Sequence, residues 1–250
     1  MESDELRVRE ETSRKLRTNP EPYLAQYSSR FGNVLNADDA ATLFDEYNVD
    51  RAKYRVAVHP AATWIRDELF RRALAETAPE GRNRVVFTAG GNAAGKSTAL
   101  AVTGISKRAQ VVFDSTFSNP EHAQRLMEQA LSAGKTVTVL HVSRPLDETF
   151  GAMLDRARLQ GRVVTIEQLI GSHRGSAQAV RDISREFEHN PGVAFMFVDN
   201  SARGAHEGTI DLAAPQDYTG IRKRLYELLN GEYHAGRITE KIYRRIRGGD

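Results

Sequence analysis

The chain has 250 residues, 40% hydrophobic and 27% charged, enough for one large domain, or a domain with a helical extension, around a sizeable core. It holds no cysteine, which excludes disulfides, thiolate metal sites and a cysteine nucleophile, and no apolar run approaches the ~18 residues of a membrane span. Formal net charge is only +2, but the basic residues are 28 Arg against 7 Lys; background composition is the plainer cause, so the arginines inform only by position.

The start, Met1-Glu2-Ser3-Asp4-Glu5, is charged and leads into no apolar segment, so no secretory leader is expected and a reducing cytoplasm is the expected setting. Residues 1–18 are nearly all charged or polar and read as a solvated or frayed helix, broken by Asn19-Pro20-Glu21-Pro22. Asn36 reads as an N-cap for a helix over residues 37–47. A further helix is expected to start at His59-Pro60, carry Ile65, Leu69 and Ala73 on one face, and stop near residues 78–81. Residues 1–80 therefore read as a helical N-terminal region without strands.

From residue 81 the pattern becomes alternating strands and helices. Strands are expected at 85–89, 110–113, 136–142 and 193–198, with another near 209–212. Helices are expected from Thr98, from Asn119-Pro120 to Gly134, and over 145–160. Thr165-Ile166-Glu167-Gln168 is a capping box for a short helix to about Ile170, and Ser176 reads as the cap of a second one bearing Val180, Ile183 and Phe187. Two more helices are expected, one around Tyr218, Ile221, Leu225 and Leu229, the other over 238–246. Single helices between strands imply parallel crossovers, hence a three-layer α/β/α domain over 81–250 with a mainly parallel sheet.

The chemistry-bearing stretch lies between the first of these strands and its helix. Gly90-Gly91-Asn92-Ala93-Ala94-Gly95-Lys96-Ser97-Thr98 fits G-x-x-x-x-G-K-S in strand–loop–helix context, the P-loop of P-loop NTPases. Its glycines let backbone N–H groups turn inward around a phosphate, and the helix N-terminus adds its positive end. Lys96 would reach the β- and γ-phosphates of ATP, and the Ser97 hydroxyl would hold Mg²⁺. Asp114 follows the next strand, at the carboxyl end where functional groups collect in open parallel sheets. It can serve as the base for an attacking hydroxyl, as a Mg²⁺ ligand of Walker-B type, or as a structural cap.

Arg156-Ala157-Arg158-Leu159-Gln160-Gly161-Arg162, followed by Ser172-His173-Arg174, forms an arginine-rich excursion over about 156–176. Such a segment suits a lid that lays guanidinium groups over a transferring phosphoryl group, with Arg158, Arg162 and Arg174 as its candidates; the plainer alternative is a solvated helix face. His141 reads as packing or a hydrogen bond near the site, and no histidine pair has metal spacing. Asp199-Asn200 would touch the adenine end of a nucleotide or cap a turn. Trp64 reads as interhelical core. Arg244-Arg245-Ile246-Arg247 reads as the wet face of a last helix, since no aromatic residues interleave it as in a nucleic-acid surface.

With these pieces in place, the sequence resembles the zeta-toxin family of P-loop kinases from about Arg51 to Asn200. The resemblance rests on Phe87–Thr98, Phe113-Asp114-Ser115-Thr116-Phe117, Arg158-Leu159-Gln160-Gly161-Arg162-Val163-Val164, and the upstream Val56–Ala62. It implies ATP-dependent phosphorylation of a hydroxyl, in known toxins on UDP-N-acetylglucosamine. Asp114 would activate the hydroxyl, Lys96 and Ser97 would manage phosphates and Mg²⁺, and lid arginines would stabilise the transition state. Thr116 stands where the family often has a second acidic residue. Related enzymes phosphorylate polynucleotides or dinucleotides with the same machinery. A different class is an ATP-binding interaction module whose helical N-terminal region meets an antitoxin or other protein.

Overall fold

The computed structural model describes residues 3–201, 206–208, 212 and 217–249. Its first helices, α1 (Ser3–Thr18) and α2 (Glu21–Phe31), lead into a short strand, β1 (Val34–Asn36), then α3 (Ala37–Ala41), α4 (Asp45–Val49) and the long α5 (Arg51–Ala75). The strand-free reading of residues 1–80 is thus corrected by β1. So is the solvated helix at the start: α1 buries Val8, Thr12 and Leu16. On its polar side, Asp4 accepts hydrogen bonds from the Tyr54 hydroxyl and the Lys53 ammonium of α5.

Pro60 does not open a helix. Asp50 caps α5, its side chain accepting from Lys53 N–H, and the helix runs on through Pro60. An internal proline removes one hydrogen bond and crowds the preceding turn. Burial of Ala57, Val58, Ala61, Ala62, Ile65 and Phe70 offsets that cost. Phe70 docks the helix on the sheet, its ring 5.8 Å from that of Phe87 and 5.0 Å from that of Phe113. Trp64, expected in an interhelical core, is 42% exposed.

The remaining strands are β2 (Arg84–Ala89), β3 (Val111–Asp114), β4 (Thr136–Ser143), β5 (Val193–Asp199) and the short β6 (His206–Glu207). Sheet order is β1-β3-β2-β4-β5-β6, with the first five strands parallel and β6 antiparallel. The strand expected near 209–212 lies outside the described residues apart from Leu212.

Because successive side chains point to opposite faces, β2 serves two cores. Val85, Phe87 and Ala89 join a cluster with α5 and with α7 (Pro120–Ser132). Val86 joins Ala99 and Leu100 of α6 (Lys96–Thr103) on the other face. Both faces are covered, as a buried parallel sheet requires, and the fold is the three-layer α/β/α arrangement of P-loop NTPases preceded by a helical region.

A third cluster ties α8 (Leu146–Gln160) to α9 (Ile166–Glu186), α10 (Tyr218–His234) and α11 (Glu240–Arg247). The Thr165 capping box is present, with both reciprocal bonds. The two short helices expected after it are one, however. Leu169, Ile170, Ser176, Ala179, Val180 and Ile183 form a single buried stripe, and Ser176 sits inside it rather than capping anything.

Candidate active site

The nine residues after β2 fold as the motif demands. Gly95 has φ +95, and a Cβ there would lie 1.9 Å from Asn200 Nδ2, which itself donates to the Ala94 carbonyl at 2.8 Å. A Cβ on Gly91 would lie 1.9 Å from the His173 ring. Only glycine fits either position. Helix α9 thereby clamps the loop: Asn92 donates its N–H to Ser172 Oγ at 3.0 Å, and His173 Nε2 lies 3.0 Å from the Asn92 carbonyl. A carbonyl only accepts, so that nitrogen carries the proton. Burial pushes the His173 imidazole down to about 4, which leaves it neutral.

No side chain caps α6, so the first-turn N–H groups are free to meet an anion beside the exposed Ser97 and Thr98. Lys96 Nζ donates to the Gly90 and Gly91 carbonyls at 3.1 and 3.3 Å, curled back over its own loop. Removal from water lowers its pKa, while Asp114 opposes that shift.

Asp114 ends β3 opposite Thr88 of β2 and Asn36 of β1 in register. Register partners sit about 5 Å apart, so short side chains on one face can touch. The Thr88 hydroxyl donates to Asp114 Oδ1 and the Asn36 amide to Oδ2, each at 2.5 Å. Asp114 is 8% exposed and opens onto a cleft of about 800 Å³, whose other polar walls include Lys96, Ser97, Asp38, Arg156 and Arg162.

Of the arginines expected in a lid, Arg162 lines this cleft, paired with Asp38 of α3. Arg158 does not: it is bound to Glu232 and, at 3.0 Å, to the Arg237 carbonyl. Arg174 lies 5.9 Å over the Tyr218 ring, also away from the cleft. The reason is helical geometry. Two residues along a helix are about 200° apart, so Arg156 and Arg158 face opposite ways. Arg156 is the one in the cleft, and burial pushes its pKa down without discharging it.

Asn36, Asp38, Asp39, Arg55, His59 and Arg66 also line the cleft, and sequence reading assigned none of them a role there beyond the helix cap at Asn36. His59 falls within the Val56–Ala62 stretch of the family resemblance, which is the one signal that pointed to this wall.

His141 ends up buried, 4% exposed, behind the loop beside a second cavity of about 560 Å³ that touches Gly91 and His173. Burial, with His173 adding to it, pushes its imidazole down to about 4. Asn200 donates to the Ala94 carbonyl of the glycine-rich loop, so its contact is to the protein backbone. Among the described residues, no group of three or more histidines, aspartates or glutamates could hold a metal ion by itself, and no helix is long and apolar enough to cross a membrane.

A parallel sheet, a P-loop at its centre and a carboxylate on the neighbouring strand end define a P-loop α/β protein of kinase-like build. Residues 100–203 match the family model "Zeta toxin", so the resemblance to zeta toxins stands on a match that spans Asp114 and the arginine segment. The P-loop lies just before that match and rests on its own pattern and geometry. No curated protein matches the chain.

Among solved structures, the AvrRxo1-ORF1:AvrRxo1-ORF2 complex with sulphate ions aligns at 10% identity and TM-score 0.46, over 64% of this chain and 70% of that one. The PezAT chromosomal toxin–antitoxin system of Streptococcus pneumoniae aligns at 10% identity and TM-score 0.37, over 68% and 96%. Scores this low carry no functional argument.

Proposed function

We propose that the protein transfers the γ-phosphate of ATP to a hydroxyl of a small molecule, a sugar nucleotide such as UDP-N-acetylglucosamine being the first to try. What supports this reading is a single observation: Lys96, Ser97, Asp114, Arg156 and Arg162 line one cleft. The acceptor oxygen would attack Pγ as the bond from Pγ to the β–γ bridging oxygen breaks. ADP leaves with that oxygen's electron pair, and the hydroxyl proton passes to an Asp114 carboxylate oxygen. Lys96 would move from the loop carbonyls to the phosphates. Arg156 and Arg162 would meet the charge that spreads over the transferring group.

The donor set suits Mg²⁺, which prefers few protein ligands and keeps water and phosphate oxygens around it. The Ser97 hydroxyl would hold it, with Asp114 as the other candidate, and the ion would neutralise phosphate charge. In this reading residues 81–250 form the kinase domain and residues 1–80 complete its acceptor wall. An antitoxin-type partner on the N-terminal helices and a cytoplasmic setting belong to the same proposal.

The test is incubation with γ-labelled ATP and a panel of sugar nucleotides, dinucleotides and oligonucleotides. Asp114→Ala is expected to lower transfer by about 10²–10⁴. Undiminished transfer by that variant removes the assignment of Asp114 as base. Label that reaches water and no acceptor favours an ATP-binding module, and label on oligonucleotides a polynucleotide kinase.

A further inference from the structure

Asp114 is gripped on both carboxylate oxygens, and one of the grips comes from outside the P-loop domain. A carboxylate held by one donor still turns about its terminal torsion, which is broad and two-fold. Here Thr88 takes Oδ1 and Asn36 takes Oδ2, so rotation is stopped at both ends. The Thr88 hydroxyl is itself fixed, accepting from Ser115 N–H at 3.1 Å.

Asn36 is held still more firmly. Its Oδ1 accepts from Asp38 N–H at 2.7 Å and Asp39 N–H at 3.4 Å as the cap of α3. Only the amide oxygen can accept there, which commits the amide nitrogen to the carboxylate. The backbone beneath is pinned as well: Tyr27, fully buried, accepts from Asn36 N–H at 2.7 Å and donates to the Val34 carbonyl at 2.8 Å. A buried phenol, a three-residue strand and a helix cap thus converge on the direction of one N–H bond.

We infer that Asn36 is a positioning residue for Asp114, fixing the plane of its carboxylate and so the direction in which the remaining lone pairs meet an acceptor hydroxyl. This rests on the reading of Asp114 as proton acceptor. The same side chain caps the helix that carries Asp38, the counter-ion of Arg162, so β1 sets two of the groups around the acceptor at once.

The cap and the carboxylate contact can be separated by mutation. Asn36→Ser keeps a good N-cap but cannot reach Asp114, and Asn36→Asp keeps both size and cap while setting carboxylate against carboxylate. In the full-length chain, with γ-labelled ATP and UDP-N-acetylglucosamine or water as phosphate acceptor, both variants are expected to lose about ten- to a hundredfold in kcat. KM for ATP should stay within about twofold for both, and Asn36→Ser should melt near wild type, because the phosphate loop and the helix cap are untouched. Added to Asp114→Ala, Asn36→Ser should cost nothing further, since the group it positions is gone.

The inference is overturned by wild-type kcat in a well-folded Asn36→Ser or Asn36→Asp protein, by a raised KM with unchanged kcat, or by the same fold-loss in the Asp114→Ala background. If Asp114→Ala itself turns over normally, the base assignment fails instead. The two failures are therefore told apart.

Discussion

The two walls of the cleft are built on different principles. The donor wall is nearly contiguous in sequence: loop residues 90–95, the uncapped first turn of α6, and Lys96 folded over its own carbonyls. Most of what it offers a ligand is backbone N–H. The opposite wall, the one proposed to face the acceptor, is assembled from β1, α3, α5, β3 and the segment at the end of α8, and it offers side chains: Asn36, Asp38, Arg55, Asp114, Arg156 and Arg162. A backbone-built wall can serve one ligand class with little regard for sequence. A side-chain wall can be re-lettered without disturbing the fold, which is why the choice of acceptor does not follow from the architecture.

After the loss expected of Asp114→Ala on the other wall, the next largest effect comes from breaking the donor wall alone. Lys96→Ala should reduce phosphoryl transfer by about 10²–10³, read with γ-labelled ATP. Its melting temperature should barely move, because Nζ bonds only to the carbonyls of its own loop. Loss of transfer with intact folding keeps the two walls separable. Loss of fold would mean that the loop depends on its lysine for structure.

A second prediction concerns what lies behind the donor wall. His141 and His173 are both held neutral by burial, with values near 4. Unfolded imidazoles titrate near 6.5, so between about pH 6.5 and 4 the unfolded chain binds more protons and stability falls as pH falls. For the fully buried His141 the contribution is about 3 kcal/mol, complete above the unfolded value and lost by about pH 4. The groups facing it, His173 and Lys96, are cationic or become so, which adds to the penalty. Thermal melting followed from pH 7 to 4 should therefore drop, and His141→Gln should flatten that drop. Amide protection at residues 90–95, taken relative to the intrinsic exchange rate at each pH, should fall with acid before that at β1 does. An identical pH profile for wild type and His141→Gln would remove the histidine from the account.

The same contrast explains what could be read from the chain alone. Strand, glycine loop and helix follow one another within a few residues, so the P-loop and the strands β2 to β5 were legible, as was the Thr165 cap. Of the acceptor wall, Asp114 and Arg162 were legible, but the part built by β1, α3 and α5 was not. Val34-Leu35-Asn36 is too short for periodicity to show, and its pairing with β3 is fixed by Tyr27 and by register rather than by local preference. Pro60 reads as a helix start because its cost is local, whereas the burial that overrides it is tertiary. Ser176 reads as a cap because hydroxyls favour helix ends, yet the apolar stripe on both sides of it carries α9 straight through. The arginine segment was found as a composition, but composition has no phase, and phase decides which guanidinium enters the cleft.

That phase supplies the smallest and most discriminating test. Arg162 is paired with Asp38 across the cleft, while Arg158, two residues from Arg156 and on the far side of the same helix, is tied to Glu232 and the Arg237 carbonyl next to α10. If the described geometry is the working one, Arg162→Ala should lower transfer by about ten- to a hundredfold, the worth of one charged hydrogen bond to the transferring group. Arg158→Ala should stay within about twofold in kcat and cost at most about 1 kcal/mol in stability, as a partly exposed ion pair does. Equal losses from both would mean that the end of α8 turns over when ATP binds and brings Arg158 in. That motion would have to break the contacts of Arg158 to Glu232 and Arg237, so a Glu232→Gln variant would then make the lid close more readily. With wild-type behaviour in Glu232→Gln, the helix stays as it is and Arg162 acts from the acceptor wall that already holds it.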